Sequence, residues 1–174
     1  SWGRGLTIES GAEVTGQRVL LANNHEFGMY IGNEDTKVTL SNVTVLGTNP
    51  SAPDGFGDGV KIQDGATVSL ERLKVEGNAG VGLIASSNVD LSIRDGILHK
   101  NYPAIDVTGM GLVATDGANL SLERVSVVEN YFVGAIFNGD GTQVTAQDLT
   151  VHSTIPGVAG TLGWGVLAYD GVKV

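Results

Sequence analysis

A motif of two glycines followed by an aliphatic residue returns along the whole chain at nearly constant intervals. It reads Gly-Arg-Gly-Leu at 3–6, Gly-Asp-Gly-Val at 57–60, Gly-Met-Gly-Leu at 109–112 and Gly-Trp-Gly-Val at 163–166. A step of 52 or 54 residues between these motifs is typical of a repeat architecture. The chain therefore divides into repeats 3–56, 57–108 and 109–162 and a partial repeat 163–174.

Each repeat contains two turns, because a second set of glycines halves it. These repeat glycines are Gly5, Gly28, Gly59, Gly82, Gly111, Gly134 and Gly165. Between them, apolar and polar residues alternate with period two, which indicates strands rather than helices. Three such segments fit into each turn of about 23 residues, and parallel strands stack about 4.8 Å apart. The pattern predicts an all-β solenoid of six to seven coils with three strands per coil.

The inward positions of this solenoid form columns of equivalent apolar residues. The first strands supply Leu6/Ile8, Met29/Ile31, Val60/Ile62, Leu83/Ala85, Leu112/Ala114, Ala135/Phe137 and Val166/Ala168. The second strands supply Val14, Val38, Val68, Leu91, Leu120 and Val144, and the third supply Leu21, Val45, Val75, Leu98, Val127 and Val151. Asn24, Asn78 and Asn130 each precede a repeat glycine by four residues, and we expect their amides to stack. A single corner position between the second and third strands reads Arg18, Asn42, Arg72, Asp95, Arg124 and Asp148.

Two segments carry a resemblance to a known family. Residues 59–73, Gly-Val-Lys-Ile-Gln-Asp-Gly-Ala-Thr-Val-Ser-Leu-Glu-Arg-Leu, and residues 111–125, Gly-Leu-Val-Ala-Thr-Asp-Gly-Ala-Asn-Leu-Ser-Leu-Glu-Arg-Val, resemble the repeats of the pectin-lyase-like superfamily. The resemblance implies a right-handed, single-stranded parallel β-helix. It is closest to repeat modules of large bacterial surface or secreted proteins. Because the superfamily also includes polysaccharide lyases, hydrolases, epimerases and tailspikes, the resemblance does not determine activity.

Composition excludes several functions. The formal net charge is −9, so the chain offers no basic patch for nucleic acid. Cysteine is absent, which removes disulfides, thiolate metal sites and thiol catalysis. No apolar run is long enough to span a bilayer, so we expect no membrane insertion.

The outward column of the first sheet argues against an active site there. In the polysaccharide-active members that the chain resembles, the chemistry sits on this face and its flanking loops. Here the column reads Thr7, Tyr30, Lys61, Ile84, Val113, Ile136 and Leu167. Proton transfer to or from a sugar requires ionisable groups within reach, and four consecutive coils supply none. We predict no catalytic residue and no protein-ligated metal site.

The candidate binding residues lie beside that column. Asp54, Asp58 and Lys61 surround the start of the third coil, and Tyr30 lies one coil away. Two carboxylates and a lysine can bind Ca²⁺ together with an acidic sugar, whereas the simpler interpretation is an Asp-Gly turn. Tyr102 and Asp106 lie in the second of three long loops, 48–56, 100–108 and 153–162, which we expect to form a ridge beside the first sheet.

The aliphatic residues Ile84, Val113, Ile136 and Leu167 are the interface candidates, since a contiguous apolar patch usually marks a contact surface. A second copy of the chain, another part of the parent protein, or the long loops are the alternatives for covering it. The whole chain is expected to be one β-helix domain cut from a longer solenoid, because neither end carries a capping element and uncapped ends also offer a route to oligomers.

The function we expect is a non-catalytic structural or recognition module of a secreted or bacterial surface protein, acting as a spacer or in adhesion. The alternative is a polysaccharide-acting protein, similar to a pectate lyase or a uronate epimerase, whose active coils are incomplete or lie outside this segment.

Overall fold

The computed structural model describes residues 3–52, 55–104, 109–157 and 162–174, and within them it contains thirteen strands and no helix. Seven strands are short: β1 (Leu6–Ile8), β3 (Phe27–Ile31), β5 (Asp58–Ile62), β7 (Leu83–Ala85), β9 (Leu112–Ala114), β11 (Val133–Asn138) and β13 (Trp164–Tyr169). Six strands have ten residues each: β2 (Glu13–Ala22), β4 (Lys37–Leu46), β6 (Thr67–Glu76), β8 (Asp90–His99), β10 (Asn119–Val128) and β12 (Gln143–His152).

The strands form two parallel sheets. The short strands make a seven-stranded first sheet in the order β1-β3-β5-β7-β9-β11-β13, and the long strands make a six-stranded second sheet in the order β2-β4-β6-β8-β10-β12. Because each strand pairs with the second one along the chain, the backbone alternates between the sheets and climbs one coil at a time. This is the predicted right-handed parallel β-helix, with six coils and the first strand of a seventh.

The predicted second and third strands are two halves of one long strand. One residue lies between the halves, and its φ is positive: 58° at Arg18, 52° at Arg72 and 57° at Asp95, for example. Cross-coil pairing omits this residue and resumes after it, since Glu71 pairs with Arg94 and Leu73 with Gly96. A single left-handed residue turns the chain and interrupts the cross-coil register at that one position only, so the three segments of a coil belong to two sheets.

The predicted interior columns are confirmed by the strand register. Val38 pairs with Val68, Val68 with Leu91 and Leu91 with Leu120, and all four side chains are at most 2% exposed. The first-sheet column is equally continuous, from Leu6 paired with Met29 to Ala135 paired with Val166. Like side chains therefore stack on like along the axis, and burial of these aliphatic columns is the main stabilising contribution.

A buried ladder of asparagine side chains runs beside this core. Asn78 donates from its backbone N and its Nδ2 to Oδ1 of Asn101, at 3.1 and 2.9 Å. Asn101 donates in the same way to Oδ1 of Asn130, at 3.1 and 2.8 Å. Thr48 joins through its backbone N, which lies 3.0 Å from Oδ1 of Asn78. Asn78 and Asn130 belong to the ladder as predicted, and Asn101 lies between them, whereas Nδ2 of Asn24 has no hydrogen-bond partner among the described residues.

The repeat glycines make room for this ladder. A Cβ on Gly82 would lie 2.5 Å from Nδ2 of Asn101 and 2.6 Å from the carbonyl oxygen of Gly111. A Cβ on Gly59 would lie 2.8 Å from Nδ2 of Asn78 in the same way. The glycine period of the sequence thus follows from close packing of each coil against its own asparagine and against the next coil.

Candidate functional site

The outward face of the first sheet divides into two halves along the axis. The register places its central residues in one row: Thr7, Tyr30, Lys61, Ile84, Val113, Ile136 and Leu167. The first three coils contribute polar, aromatic and cationic groups, and the remaining coils contribute only aliphatic ones. We call residues Ile84, Val113, Ile136 and Leu167 the aliphatic row. Each is half-buried, so part of each side chain faces solvent.

The polar half contains five side chains that contact one another, and we call Arg4, Glu26, Phe27, Tyr30 and Lys61 the cation–aromatic cluster. The rings of Phe27 and Tyr30 are 5.7 Å apart between centroids. The guanidinium of Arg4 lies 5.2 Å from the Phe27 centroid and 4.7 Å from the Tyr30 centroid. Nζ of Lys61 lies 5.4 Å from the Phe27 centroid. Cations at these distances are attracted by the ring faces, so the cluster combines two flat apolar surfaces with positive charge.

The two cations of the cluster differ in their partners. Arg4 donates to both carboxylate oxygens of Glu26, at 2.9 and 3.2 Å, and this hydrogen bond is the main reason why the pKa of Arg4 is raised. Lys61 forms no salt bridge with any described residue. Burial raises the pKa of the Tyr30 hydroxyl, and the nearby charges of Asp64 and Glu9 act in the same direction. Lys61 therefore presents an ammonium group beside a neutral phenol, which suits an anionic group on a ligand.

Asp58 lies beside the cluster, but its carboxylate is directed into the fold. The residue is 5% exposed, and its Oδ1 accepts a hydrogen bond from the backbone N of Val81 at 2.8 Å. Burial raises the pKa of Asp58 to about 6, while the Val81 hydrogen bond and the charge of Lys61 act in the opposite direction. A Cβ on Gly80 would lie 2.4 Å from this Oδ1, so the glycine is needed to admit the carboxylate.

The other predicted site residues do not join this group. Tyr102 is 39% exposed and follows the ladder residue Asn101 in the next loop, where it bridges to Ala79. Asp54 and Asp106 lie outside the described residues. Within the described residues no group of three His, Asp or Glu side chains is close enough to hold a metal ion. Binding of Ca²⁺ with help from Asp54 or Asp106 therefore stays a prediction.

Comparison with known proteins identifies the fold family. The model of the family described as "Right handed beta helix region" matches residues 1–151, which include every strand from β1 to β11 and nearly all of β12. The chain belongs to the right-handed β-helix family. No curated protein and no solved structure matches it significantly. Membership of this family explains the coils and the stacked core. It does not specify a ligand, so any ligand must be inferred from the surface residues. The described residues form no α-helix that is long and apolar enough to cross a membrane.

Three members of the cation–aromatic cluster were missed by the sequence reasoning: Arg4, Glu26 and Phe27. A signal for two of them exists, because Arg4 and Phe27 each come directly before a repeat glycine. Read down all seven coils, that position is Arg4, Phe27, Asp58, Val81, Met110, Val133 and Trp164. Phe27 of this column falls in the same coil as Tyr30 and Arg4 falls in the coil before it, so two adjacent columns together indicate the cluster.

Proposed function

We propose that this chain is a non-catalytic β-solenoid module, a rigid spacer with a recognition surface, in a secreted or surface protein of a bacterium. The observation that carries the proposal is the outward row of the first sheet. Among its described residues Tyr30 and Lys61 are the ionisable ones, and the nearest buried carboxylate, that of Asp58, is engaged with the backbone of Val81. The row itself contains no carboxylate, whereas sugar hydrolysis requires a pair of carboxylates beside the scissile bond.

The stacked architecture supports the spacer role. Each coil adds about 4.8 Å to the length of the solenoid, and continuous ladders join every coil to the next. The interior columns are continuous through the middle coils, where the core side chains are almost fully buried. A module built in this way holds its surface residues in fixed rows, which is what an extended recognition surface needs.

The cation–aromatic cluster is the binding surface that we propose, and its ligand is an acidic saccharide of a polysaccharide. Aromatic faces suit the apolar faces of sugar rings, and the Lys61 ammonium suits a sugar carboxylate. Phe27 and Tyr30 are both half-buried, so the cluster offers ring faces that are already held in place. We propose further that a second copy of the chain covers the aliphatic row, since four aligned aliphatic side chains favour contact with another apolar surface.

One observation favours the alternative of a polysaccharide-acting protein. The pKa of Asp58 is raised to about 6, and a carboxyl group that is partly protonated near neutral pH can act as a general acid. Its position argues against this role, because a general acid must come within hydrogen-bonding distance of the glycosidic oxygen. Asp58 is 5% exposed, and Oδ1 already accepts a hydrogen bond from the protein.

Binding and turnover of acidic polysaccharides separate the two functions. The protein is run in native gels that contain polygalacturonate or alginate, and the same mixtures, with and without Ca²⁺, are followed for the ultraviolet absorbance of unsaturated uronates and for new reducing ends. We expect retardation of the protein and no product. Lys61→Met, which removes the charge and keeps the stem, should abolish the retardation, and Lys37→Met on the second sheet should leave it unchanged. Product formation would refute the non-catalytic role, and migration unaffected by either polysaccharide would refute the proposed ligand.

A further inference from the structure

Asn138 is followed by Gly139, and it is the only asparagine in the chain that precedes a glycine. Glycine has no Cβ, so its backbone nitrogen can approach the side-chain carbonyl carbon of a preceding asparagine more closely than the backbone nitrogen of any other residue can. This geometry is the chemical requirement for cyclisation of an asparagine to a succinimide. The pair lies at the end of β11, where the chain leaves the first sheet of the sixth coil.

The turn that contains this pair leaves the attacking nitrogen without a hydrogen-bond acceptor in the described part of the chain. Gly139 and Gly141 both have positive φ, 90° and 81°, and they flank Asp140. The backbone N–H of Gly139 donates no hydrogen bond to any described residue. The attacking nitrogen is therefore not engaged in the ladder, while the carbonyl of the same peptide group accepts a hydrogen bond from Thr142.

The side-chain amide of Asn138 also has a structural role. Its Nδ2 donates to the Tyr169 hydroxyl at 3.1 Å, and Tyr169 lies in the partner position on β13. The backbone oxygen of Asn138 accepts a hydrogen bond from Oγ1 of Thr142 at 2.8 Å. Tyr169 is 41% exposed, so this side-chain contact, which supplements the backbone pairing of β11 with β13, is accessible to water.

We propose that Asn138 is a site of spontaneous deamidation that weakens the attachment of β13 to the β-helix. The nitrogen of Gly139 attacks Cγ of Asn138, a bond forms between these atoms, and the bond from Cγ to Nδ2 breaks. Ammonia leaves with the proton that Gly139 loses. Water then opens the succinimide at either carbonyl, which yields aspartate or isoaspartate at position 138.

Both products act on the same contact. The Nδ2 donor to Tyr169 is lost, so the Tyr169 hydroxyl must turn to donate to the new carboxylate, and isoaspartate adds a methylene that displaces this carboxylate at the end of β11. The new carboxylate also joins a row of acidic turns, because Asp116, Asp140 and Asp170 lie at equivalent turns of three successive coils. The stacking of these turns is close, since a Cβ on Gly171 would lie 2.5 Å from Oδ1 of Asp140. Like charges in adjacent coils repel one another, so deamidation loosens the last coil.

Mass spectrometry of the folded protein tests the site. The full chain is incubated at mildly alkaline pH, where loss of the amide proton is favoured, and then digested and analysed for the conversion of each asparagine and for isoaspartate. We expect conversion at Asn138 to be several-fold faster than at Asn42, an exposed asparagine followed by valine that serves as the internal control. Equal conversion at the two positions, or protection of Asn138 in the folded chain while a peptide of residues 134–143 converts, would overturn the proposal.

Hydrogen exchange of β13 tests the consequence. Asn138→Asp reproduces one product, and Asn33→Asp adds the same charge to a turn of the second coil that does not contact β13. We expect faster amide exchange over Trp164–Tyr169 in Asn138→Asp than in Asn33→Asp. Identical exchange of β13 in the two variants would show that the amide of Asn138 does not help to hold the last coil.

Discussion

Oδ1 of Asn101 accepts two hydrogen bonds from Asn78, one from its backbone N at 3.1 Å and one from its side-chain Nδ2 at 2.9 Å. Both residues are fully buried, so neither donor has water as a substitute partner. Because the same arrangement repeats between Asn101 and Asn130, a side-chain ladder links three coils through the interior. Removal of one acceptor from this ladder should destabilise the folded protein, since buried donors without partners are costly in free energy.

Removal of the central amide should destabilise the protein strongly. Asn101→Ala leaves the backbone N and Nδ2 of Asn78 without an acceptor, and we expect a loss of about 2–5 kcal/mol in the free energy of unfolding. Urea denaturation monitored by circular dichroism gives this value. Asn119→Ala removes an exposed asparagine of β10 and is the matched control. A loss no larger than that of the control would contradict a stabilising role for the ladder.

Extension of the ladder should stabilise the protein. Thr48 is fully buried and its Oγ1 has no hydrogen-bond partner, while Nδ2 of the neighbouring Asn24 also has none. Thr48→Asn places an amide where it can donate to Asn78 and accept from Asn24, and we expect a gain of about 0.5–1.5 kcal/mol. Thr150→Asn, at an exposed position of β12, is the comparison. Loss of stability in Thr48→Asn alone would mean that this coil does not admit the longer side chain.

The repeat glycines from Gly5 to Gly134 should tolerate no side chain, and the reason is packing. Gly82→Ala brings a Cβ to 2.5 Å from Nδ2 of Asn101 and 2.6 Å from a backbone oxygen, and we expect a loss of about 3 kcal/mol. Gly77→Ala is a demanding control, because Gly77 has a φ of 61° but no heavy atom near its Cβ position. Its strain should cost about 1–2 kcal/mol. Chemical denaturation should therefore rank Gly82→Ala as the less stable variant, and the reverse order would refute the packing argument.

Asp58 should make the stability depend on pH in an unusual direction. Its pKa is about 6 in the folded protein against an ordinary value of 3.8, so the folded state binds the proton more tightly than the unfolded chain. The stabilisation is fully present below pH 3.8 and is lost as the pH rises through about 6, with a maximum of about 3 kcal/mol.

The variant Asp58→Asn isolates this effect, because the asparagine Oδ1 can still accept the Val81 hydrogen bond. Hydrogen bonds to Arg124 lower the pKa values of Asp95 and Glu123, so these carboxylates lose their contribution as the pH falls and oppose the trend. The unfolding free energy of Asp58→Asn minus that of the wild type should increase between pH 4 and pH 6. A constant difference over this range would show that the Asp58 carboxyl is not perturbed by burial.

The aliphatic row should mediate self-association. Val113 lies at the centre of the row, between Ile84 and Ile136. Sedimentation of the wild type should show a dimer that forms with increasing concentration, and Val113→Glu should abolish it because a carboxylate would be buried without a partner. Thr7→Glu, in the same outward position of the first coil, should leave the dimer intact. A wild-type chain that stays monomeric at all concentrations excludes a second copy as the occupant of this face.

The sequence determined the architecture because side chains alternate with period two along a strand and equivalent residues recur once per coil. Those two periods place Val38, Val68, Leu91 and Leu120 in one interior column and predict the outward row from Thr7 to Leu167. The corner residues were also identified correctly. Only the structure showed that the ladder resumes after each corner, because a single left-handed residue redirects the chain and is the one position that the cross-coil register omits.

The tertiary structure alone decided the ladder and the candidate site. Asn101 does not lie four residues before a repeat glycine, since the loop of the fourth coil separates the ladder position from the next glycine. It does lie three residues after Leu98, as Asn78 lies three residues after Val75. In the same way Asp58 looked like an exposed ligand in sequence but is buried against Val81. Local periodicity determines which face of the sheet a side chain occupies. The hydrogen-bond partners and the burial of that side chain depend on the residue that the adjacent coil places opposite it. That residue lies 23 to 32 positions away along the chain.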